Sequence, residues 1–283
     1  MFILSAKSTE KEVSYTVKMF RKYRNMLGEL TRKNIKLKYR NSWLGIFWSF
    51  LEPLLNMIVL SVVFGNIFGR SSEYIVCYPV WMFTGRMLFD FFRTSTNQAM
   101  TSFRRNATII KKVYVPKYMY PLSSILSSFV NFAITILCFI CVWIFFRLTG
   151  WQGGGGLTIT WYALLCFIPM LIILIFSAGV GLILSVLAVY FKDVEYIWQV
   201  CTRLVMYMVP ILYPFEKVTN TWTRIIIKIN PLYSMIELFR QCVLYGYFMS
   251  GKLLLYGSVT AVATLGVGVL LFNKKNDDLV YHL

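Results

Sequence analysis

The chain of 283 residues is 58% hydrophobic and only 14% charged, and its mean hydropathy is +0.62. A water-soluble core cannot absorb that much apolar surface, so the composition excludes a soluble globular protein and indicates a polytopic membrane protein. The formal net charge of +17 does not indicate nucleic-acid binding, because the cations lie mostly at the ends of apolar runs and no RNA-binding motif accompanies them.

The basic segment before the first apolar run predicts a helix at the membrane surface. On a helix over residues 23–40, the apolar side chains, Leu27 and Leu30 among them, fall on one face and the cations share the opposite half. These cations are Arg32, Lys33, Lys36 and Arg40. Such a helix is typical of the membrane interface, with its apolar face against lipid. Two interpretations stay open: a lipid anchor alone, or an anchor whose exposed face also docks a cytoplasmic partner.

Six apolar runs predict an all-α integral membrane protein with six transmembrane helices, in a single transmembrane domain over residues 1–283. The predicted spans cover residues 43–68, 74–92, 118–146, 161–190, 196–213 and 253–272. Residues 1–42 are predicted as a cytoplasmic tail with the interface helix, residues 43–272 as the six-span bundle, and residues 273–283 as a second cytoplasmic tail. With both termini inside, 21 of the 29 Lys and Arg residues are cytoplasmic and seven lie outside, as the positive-inside rule requires.

Two of the predicted spans carry charged residues. Glu52 and Pro53 interrupt the first span, and a carboxylate in lipid is costly, so this face is predicted to look into the protein or a pathway. Arg86 and Asp90 are spaced i and i+4 in the second span, where they can pair. The pair is either a structural ion pair near the inner boundary or a contact for substrate or gating.

Two predicted cytoplasmic segments lie between spans. The loop after the second span is basic and has a short helical centre. Its cations are Arg104, Arg105, Lys111 and Lys112. In the second segment, Asp193 is predicted to cap the helix that follows, and Glu195 is placed in the positive first turn of that helix.

The segment before the last span is apolar but short, and it carries Glu237 and Arg240 at its middle. Each charge costs about 2.5–3.5 kcal/mol at the centre of a span. The segment is therefore predicted as a pair of re-entrant half-helices that dip into the outer leaflet.

The sequence offers little catalytic or nucleotide-binding chemistry. It holds one His, His282, and no acid cluster beyond Asp193 and Glu195, so acid–base or metal catalysis has little support and no metal or cofactor is expected in this chain. The glycines at 153–156 lack the Lys-Ser/Thr of a phosphate-binding loop, and no other such motif occurs. A conduit remains, with many aromatic residues available for sugar rings and interfacial belts.

Five runs together resemble the membrane subunit of type-2 ABC exporters for polysaccharides, a family that includes O-antigen, capsule and teichoic acid permeases. The runs are KLKYRNSWLGIFWSFLEPLL, VYVPKYMYP, YFKDVEY, PILYP and NPLYSMIELFRQ. The resemblance implies a non-enzymatic homodimer in the cell membrane, with a channel between protomers for a lipid-linked glycan. It also implies a separate ATPase subunit that binds ATP and Mg.

The resemblance further assigns roles to residues of this chain. The ATPase would contact residues 31–40 and 102–112, which implies coupling roles for Arg32, Lys33, Lys36, Arg104, Arg105, Lys111 and Lys112. The external gate helices correspond to residues 229–245, with Pro231, Glu237 and Arg240. As a hypothesis, Lys38 and Arg40 contact the anionic headgroup of the substrate at the cytoplasmic leaflet.

Two alternatives to export stay open. One is an integral membrane transferase that acts on lipid-linked sugars, which would need a carboxylate or His pair at an interface. The other is an ATP-independent channel or flippase. The sequence does not identify which glycan is moved.

Overall fold

The computed structural model describes residues 23–40, 42–68, 75–112, 116–158 and 160–275, and side chains at 66–68 are not among those described. Throughout these residues the chain forms helices and turns and contains no β-strand, which confirms the predicted all-α class. The predicted tails at residues 1–22 and 276–283, with His282, lie outside the described residues.

Ten α-helices follow one another through the described ranges. They are α1 (23–39), α2 (Trp48–Phe68), α3 (Tyr78–Met100), α4 (Ser102–Ile110), α5 (Met119–Thr149), α6 (Phe167–Tyr190), α7 (Val194–Met208), α8 (Thr221–Ile229), α9 (Pro231–Arg240) and α10 (Gly251–Lys275). Short 3₁₀ turns precede α2, α6 and α8, and a single π turn, Gln241–Tyr245, continues α9.

Four helical stretches among the described residues are long and apolar enough to cross a membrane. They are Gly45–Gly65, Met119–Thr149, Trp161–Tyr190 and Gly251–Lys275, which coincide with the first, third, fourth and last predicted spans. The chain is therefore a multi-pass membrane protein. The second and fifth predicted spans are α3, which is long but more polar, and α7, which has 15 residues and ends two residues before Pro210.

Helix α3 lies at the centre of the bundle, where α2, α5, α6 and α9 contact it. Val80, Met82, Leu88 and Phe89 are completely buried. Because α3 contacts protein on most of its surface, its polar residues find protein partners instead of lipid. Because of this central position, α3 can have a lower mean hydropathy than the four apolar stretches.

Helices α6 and α10 pack closely through glycines. A methyl group at Gly179 would lie 2.4 Å from the backbone nitrogen of Leu265, and one at Gly268 would lie 2.7 Å from the carbonyl oxygen of Gly179. Small residues let helix backbones approach in this way, which is a common mode of association in membranes. Helices α6 and α10 therefore form a closely packed pair within the bundle.

The apolar face of α1 packs on the protein at two positions, which corrects the prediction that it rests on lipid. Leu27 and Leu30 are buried in a cluster with residues of α4, α5, α6 and α10. Lys33 Nζ donates to Asn106 Oδ1 at 3.0 Å, and Asn34 Nδ2 donates to Ser123 Oγ at 3.3 Å. These contacts dock α1 against α4 and α5, because the same end of the bundle offers both apolar and polar partners.

Candidate functional site

A polar cavity of about 130 Å³ lies between α2, α3 and α5, with the end of α1 at its rim. Each of the three helices contributes polar side chains spaced three or four residues apart, the spacing that places residues on one helix face. The polar lining consists of Lys38, Ser49, Glu52, Asn56, Arg86, Asp90, Arg93, Thr94, Ser128, Asn131 and Thr135. A concave site between helices with converging polar groups is the usual form of a ligand site.

The Arg86–Asp90 pair predicted from the i, i+4 spacing forms on the α3 wall of this cavity. Arg86 Nε donates to Asp90 Oδ2 at 2.7 Å, and a second guanidinium NH of Arg86 contacts the sulfur of Met206 on α7 at 3.2 Å. Arg93 Nε lies 3.9 Å from the other carboxylate oxygen, Asp90 Oδ1. The pair therefore forms as a structural ion pair, and its role in substrate contact or gating stays a prediction.

Glu52 and Lys38 line the same cavity, and neither forms an ion pair with another described residue. Both side chains are exposed, and among the described residues no opposite charge lies within 4.0 Å of either. Glu52 thus faces a cavity, as its cost in lipid predicted. Arg40, which was predicted to join Lys38 at a substrate headgroup, is exposed but does not line the cavity.

The rim of the cavity is held by Tyr39. Its hydroxyl contacts Ser49 Oγ and donates to Asn131 Oδ1 at 2.8 Å. This links the end of α1 to α2 and α5. Three of the lining residues, Asn131, Thr135 and Arg93, were not predicted from the sequence. The polar positions 128, 131 and 135 inside an apolar run nevertheless have the helical spacing that marks a polar face.

The two segments predicted to contact an ATPase meet at one end of the bundle through the Lys33–Asn106 hydrogen bond. Arg32 and Lys36 are exposed on α1, as are Arg105, Lys111 and Lys112 on or after α4. Arg32 pairs with Glu29 on its own helix at 3.1 Å. The pKa of Arg105 is lowered by partial burial of its guanidinium and by neighbouring Arg104, while Glu195 opposes the shift.

The side chain of Arg104 forms an ion pair with another helix of the protein. Its Nη2 lies 2.9 Å from Glu195 Oε2, in the first turn of α7. Asp193 occupies the N-cap position of α7, but its side chain makes no capping hydrogen bond, which corrects the predicted cap. Glu195 lies in the first turn as predicted and joins α4 to α7.

At the other end of the bundle, Arg240 of α9 is almost completely buried, with 1% of its side chain exposed. Its guanidinium stacks on the ring of Trp81, 3.8 Å from the ring centre, and Nη1 donates to the Pro210 carbonyl oxygen at 2.9 Å. Nε lies 3.4 Å from Thr84 Oγ1, and Glu237 Oε2 is 4.0 Å from Nη1. These contacts hold α9 against α3 and the segment after α7.

Two further features fix this arrangement. A methyl group at Gly85 would lie 2.7 Å from Arg240 Nη2, so glycine leaves room for the guanidinium. Pro231 begins α9, where its missing N–H costs no hydrogen bond, and the Asn230 side chain caps the helix by accepting from Leu232 N at 3.0 Å. Of the three predicted gate residues, Arg240 has the most extensive contacts.

Comparison with known proteins agrees with the resemblance read from the sequence. Residues 26–244 match the family model described as ABC-2 type transporter. The O-antigen export system permease protein RfbA of Klebsiella pneumoniae is 30% identical over 261 residues, which cover 88% of this chain and 92% of that protein. RfbA of Myxococcus xanthus is 24% identical, with 90% and 94% covered.

A relative named for a different polymer aligns over a similar length. The polysialic acid transport protein KpsM of Escherichia coli is 24% identical over 248 residues, which cover 88% of this chain and 92% of that protein. The family match begins within α1 and ends within the π turn after α9, so it includes the polar cavity and the Arg240 contacts. The chain belongs to the ABC-2 type transporter family.

Proposed function

We propose that this chain is the membrane-spanning subunit of an ATP-driven exporter that moves a lipid-linked polysaccharide from the cytoplasmic leaflet across the cell membrane. The observation that carries the proposal is the nearly full-length similarity to proteins named for O-antigen export and polysialic acid transport. The polar cavity and the exposed cations of α1 and α4 supply surfaces that such a subunit needs.

In this proposal α3 and α7 complete a six-span bundle with both termini in the cytoplasm. Helix α3 has 23 residues, enough to cross the hydrocarbon core, and its central position shields its polar side chains. Helix α7 is short, and the non-helical residues 209–213 continue the chain towards the outer face. Helices α8 and α9 then form the external gate within the outer leaflet, with their backbone polar groups satisfied by protein.

The translocation channel lies between two copies of the chain, with α7 on its wall. Thr202 is the only residue of α7 that is buried, and Tyr196 and Tyr207 are 72% and 66% exposed. Arg203 is also exposed on this helix, which is costly against lipid and favourable in a water-filled path for an anionic polymer. Aromatic rings bind sugar faces weakly, so a glycan slides past them.

A separate ATPase subunit, which binds ATP and Mg, docks on the cations of α1 and α4. Lys36, Lys111 and Lys112 are exposed at this end and available to acidic groups of a partner, and Arg32 is exposed beside its ion pair with Glu29. Lys38 and Arg40 lie near the start of the first span, where lipid phosphates gather, and they contact the anionic headgroup of the substrate.

Co-purification followed by reconstitution tests this function. The chain should co-purify with a P-loop ATPase encoded beside it, and the complex in liposomes should move a lipid-linked glycan only when ATP is present. Replacing Lys36, Lys111 and Lys112 together by Gln should lower the export per ATP hydrolysed at least tenfold, because the docking charges are lost. Lys252→Gln, an exposed cation at the start of α10, is the matched control. Export without an ATPase, or sugar transfer by the isolated chain, would contradict the proposal.

A further inference from the structure

The lining of the polar cavity combines two kinds of surface. Carboxylates and amides from α2, α3 and α5 face it, including Glu52, Asn56 and Asn131. Phe83, Phe91 and Phe132, which are buried, line it as well. Planar hydrogen-bonding groups beside aromatic rings match a sugar ring, which presents hydroxyl groups at its edge and C–H groups on its faces.

Several polar groups in the cavity have hydrogen-bonding capacity left over. Asp90 Oδ1 is buried and has no hydrogen-bond partner in the described part of the chain. Its distance to Arg93 Nε, 3.9 Å, is too long for a hydrogen bond, so donors of Arg93 also remain available. A buried oxygen without a donor costs free energy, and a ligand hydroxyl in the cavity would recover it.

The charges are arranged asymmetrically around this space. Lys38 and Arg93 are cations with unused donors, whereas Glu52 is an exposed carboxylate without an ion pair among the residues described. A simple anion would be attracted by the first two and repelled by the third. A ligand that carries a phosphate beside hydroxyl donors satisfies both kinds of group at once.

We propose that this cavity, within each protomer, binds one sugar ring together with an adjoining phosphate. Glu52 and Asn131 accept hydrogen bonds from ring hydroxyls, and Lys38 and Arg93 contact the phosphate. The Arg86–Asp90 pair lies on the α3 wall of the cavity, and the second carboxylate oxygen of Asp90, Oδ1, accepts a hydrogen bond from a third hydroxyl. The inference rests on the proposed function for the source of this ligand, the sugar–phosphate junction of a lipid-linked glycan.

A binding measurement on the full chain in phosphatidylcholine nanodiscs, without any ATPase, tests the pocket. The probes are the 1-phosphates of glucose, galactose, mannose and N-acetylglucosamine, with inorganic phosphate and methyl glucoside as single-feature ligands. Saturation-transfer NMR and calorimetry should find at least one sugar phosphate that binds at least tenfold more tightly than either single-feature ligand. If none of the four binds, or if inorganic phosphate binds equally well, the proposal is wrong.

Variants locate the binding and separate its two halves. Glu52→Gln is nearly isosteric at an exposed side chain, so it should fold normally and weaken sugar-phosphate binding about tenfold while leaving inorganic phosphate unaffected. Lys38→Gln should weaken both ligands. Glu216→Gln removes an exposed carboxylate that does not line the cavity and should change neither. Unaltered sugar-phosphate affinity in Glu52→Gln would place the ligand elsewhere and overturn the proposal.

A second set of nanodiscs separates a lipid headgroup from a sugar phosphate. Phosphatidylglycerol in place of half of the phosphatidylcholine should leave sugar-phosphate affinity within twofold, whereas strong competition would identify the cavity as a lipid phosphate site and contradict the inference. The export assay is independent of these results. Intact ATP-driven export with no probe binding refutes only the sugar-phosphate pocket, and probe binding without export refutes only the proposed function.

Discussion

The two ends of α7 are held by arginine side chains in opposite ways. After its C-terminal end, Val209 and Ile211 are completely buried, and the Pro210 carbonyl accepts from Arg240, whose side chain is 1% exposed. At its N-terminal end, Glu195, whose side chain is 16% exposed, pairs with Arg104, whose side chain is 67% exposed. Between them, α7 buries only Thr202.

This difference in burial sets the strength of the two attachments. A hydrogen bond to a charged group in a low-dielectric interior is strong and costly to break, whereas an exposed ion pair contributes about 0–1 kcal/mol. Helix α7 is therefore held firmly at its C-terminal end and can be released more easily at its N-terminal end. In the proposed exporter, movement of α4 would rotate α7 about its C-terminal end. Substitutions along α7 test this contrast through the free energy of unfolding, from the largest effect to the smallest.

Replacing Arg240 by Met should give the largest loss of stability. The substitution leaves the Pro210 carbonyl without its donor, leaves Glu237 without its cation and removes the stacking on Trp81. Removal of one partner from a buried charged network typically costs about 3–5 kcal/mol. Thermal and denaturant unfolding of the purified chain in detergent measures this loss.

Arg203→Met is the matched control for Arg240→Met, because Arg203 is an exposed arginine in the middle of α7. It should change the free energy of unfolding by less than about 1 kcal/mol, as substitutions at exposed sites usually do. Equal destabilisation by the two variants would show that the attachment of α7 through Arg240 is no stronger than an exposed contact.

Contacts between neighbouring turns were predictable from the sequence, and contacts across the fold were not. Arg86 and Asp90 are four residues apart on one helix, so their pairing follows from helical geometry alone. Arg104 and Glu195 are 91 residues apart, and Arg240 and Pro210 are 30 apart. Whether such pairs meet depends on how the helices pack, which local periodicity does not encode.

The candidate site shows the same limit. Glu52 was predicted to face the protein because lipid would penalise it, and it does line the cavity. The neighbours that give the cavity its character, Asn131 and Arg93, stand on helices that meet only in the folded bundle. Leu27 and Leu30 were assigned to lipid because an apolar helix face looks the same whether lipid or protein covers it.

Replacing Trp198 by Phe should have an intermediate effect in the middle of α7. Its indole Nε1 donates to Thr96 Oγ1 on α3 at 3.2 Å, and its ring contacts Phe92 edge to face. The phenylalanine keeps an aromatic ring and loses the donor, so the expected cost is about 1 kcal/mol. The same unfolding assay measures it.

Thr96→Val completes a double-mutant cycle with Trp198→Phe. If the hydrogen bond accounts for the loss of stability, the double variant should have a free energy of unfolding within a few tenths of a kcal/mol of that of the less stable single variant. Fully additive losses would mean that the two side chains contribute independently, and the middle attachment of α7 to α3 would then be packing alone.

Charge reversal at the N-terminal end of α7 should have the smallest effect on stability and a clear effect on transport. Arg104→Glu and Glu195→Arg each place like charges opposite one another where the native pair meets at 2.9 Å, so each should release α7 from α4. Because the Arg104 side chain is 67% exposed, Arg104→Glu should change the free energy of unfolding by less than about 1 kcal/mol. In the reconstituted complex, each should lower export per ATP hydrolysed several-fold.

The combined Arg104→Glu, Glu195→Arg variant restores opposite charges with their positions exchanged. It should recover export per ATP if the ion pair transmits the movement of α4 to α7, since the attraction depends on the product of the charges. An ATPase that docks directly on Arg104 would predict the reverse, because the double variant still lacks that cation. Recovery of export therefore assigns Arg104 to the link between α4 and α7. If export does not recover although the single variants still pull down the ATPase, the Arg104–Glu195 pair does not transmit the movement of α4 to α7.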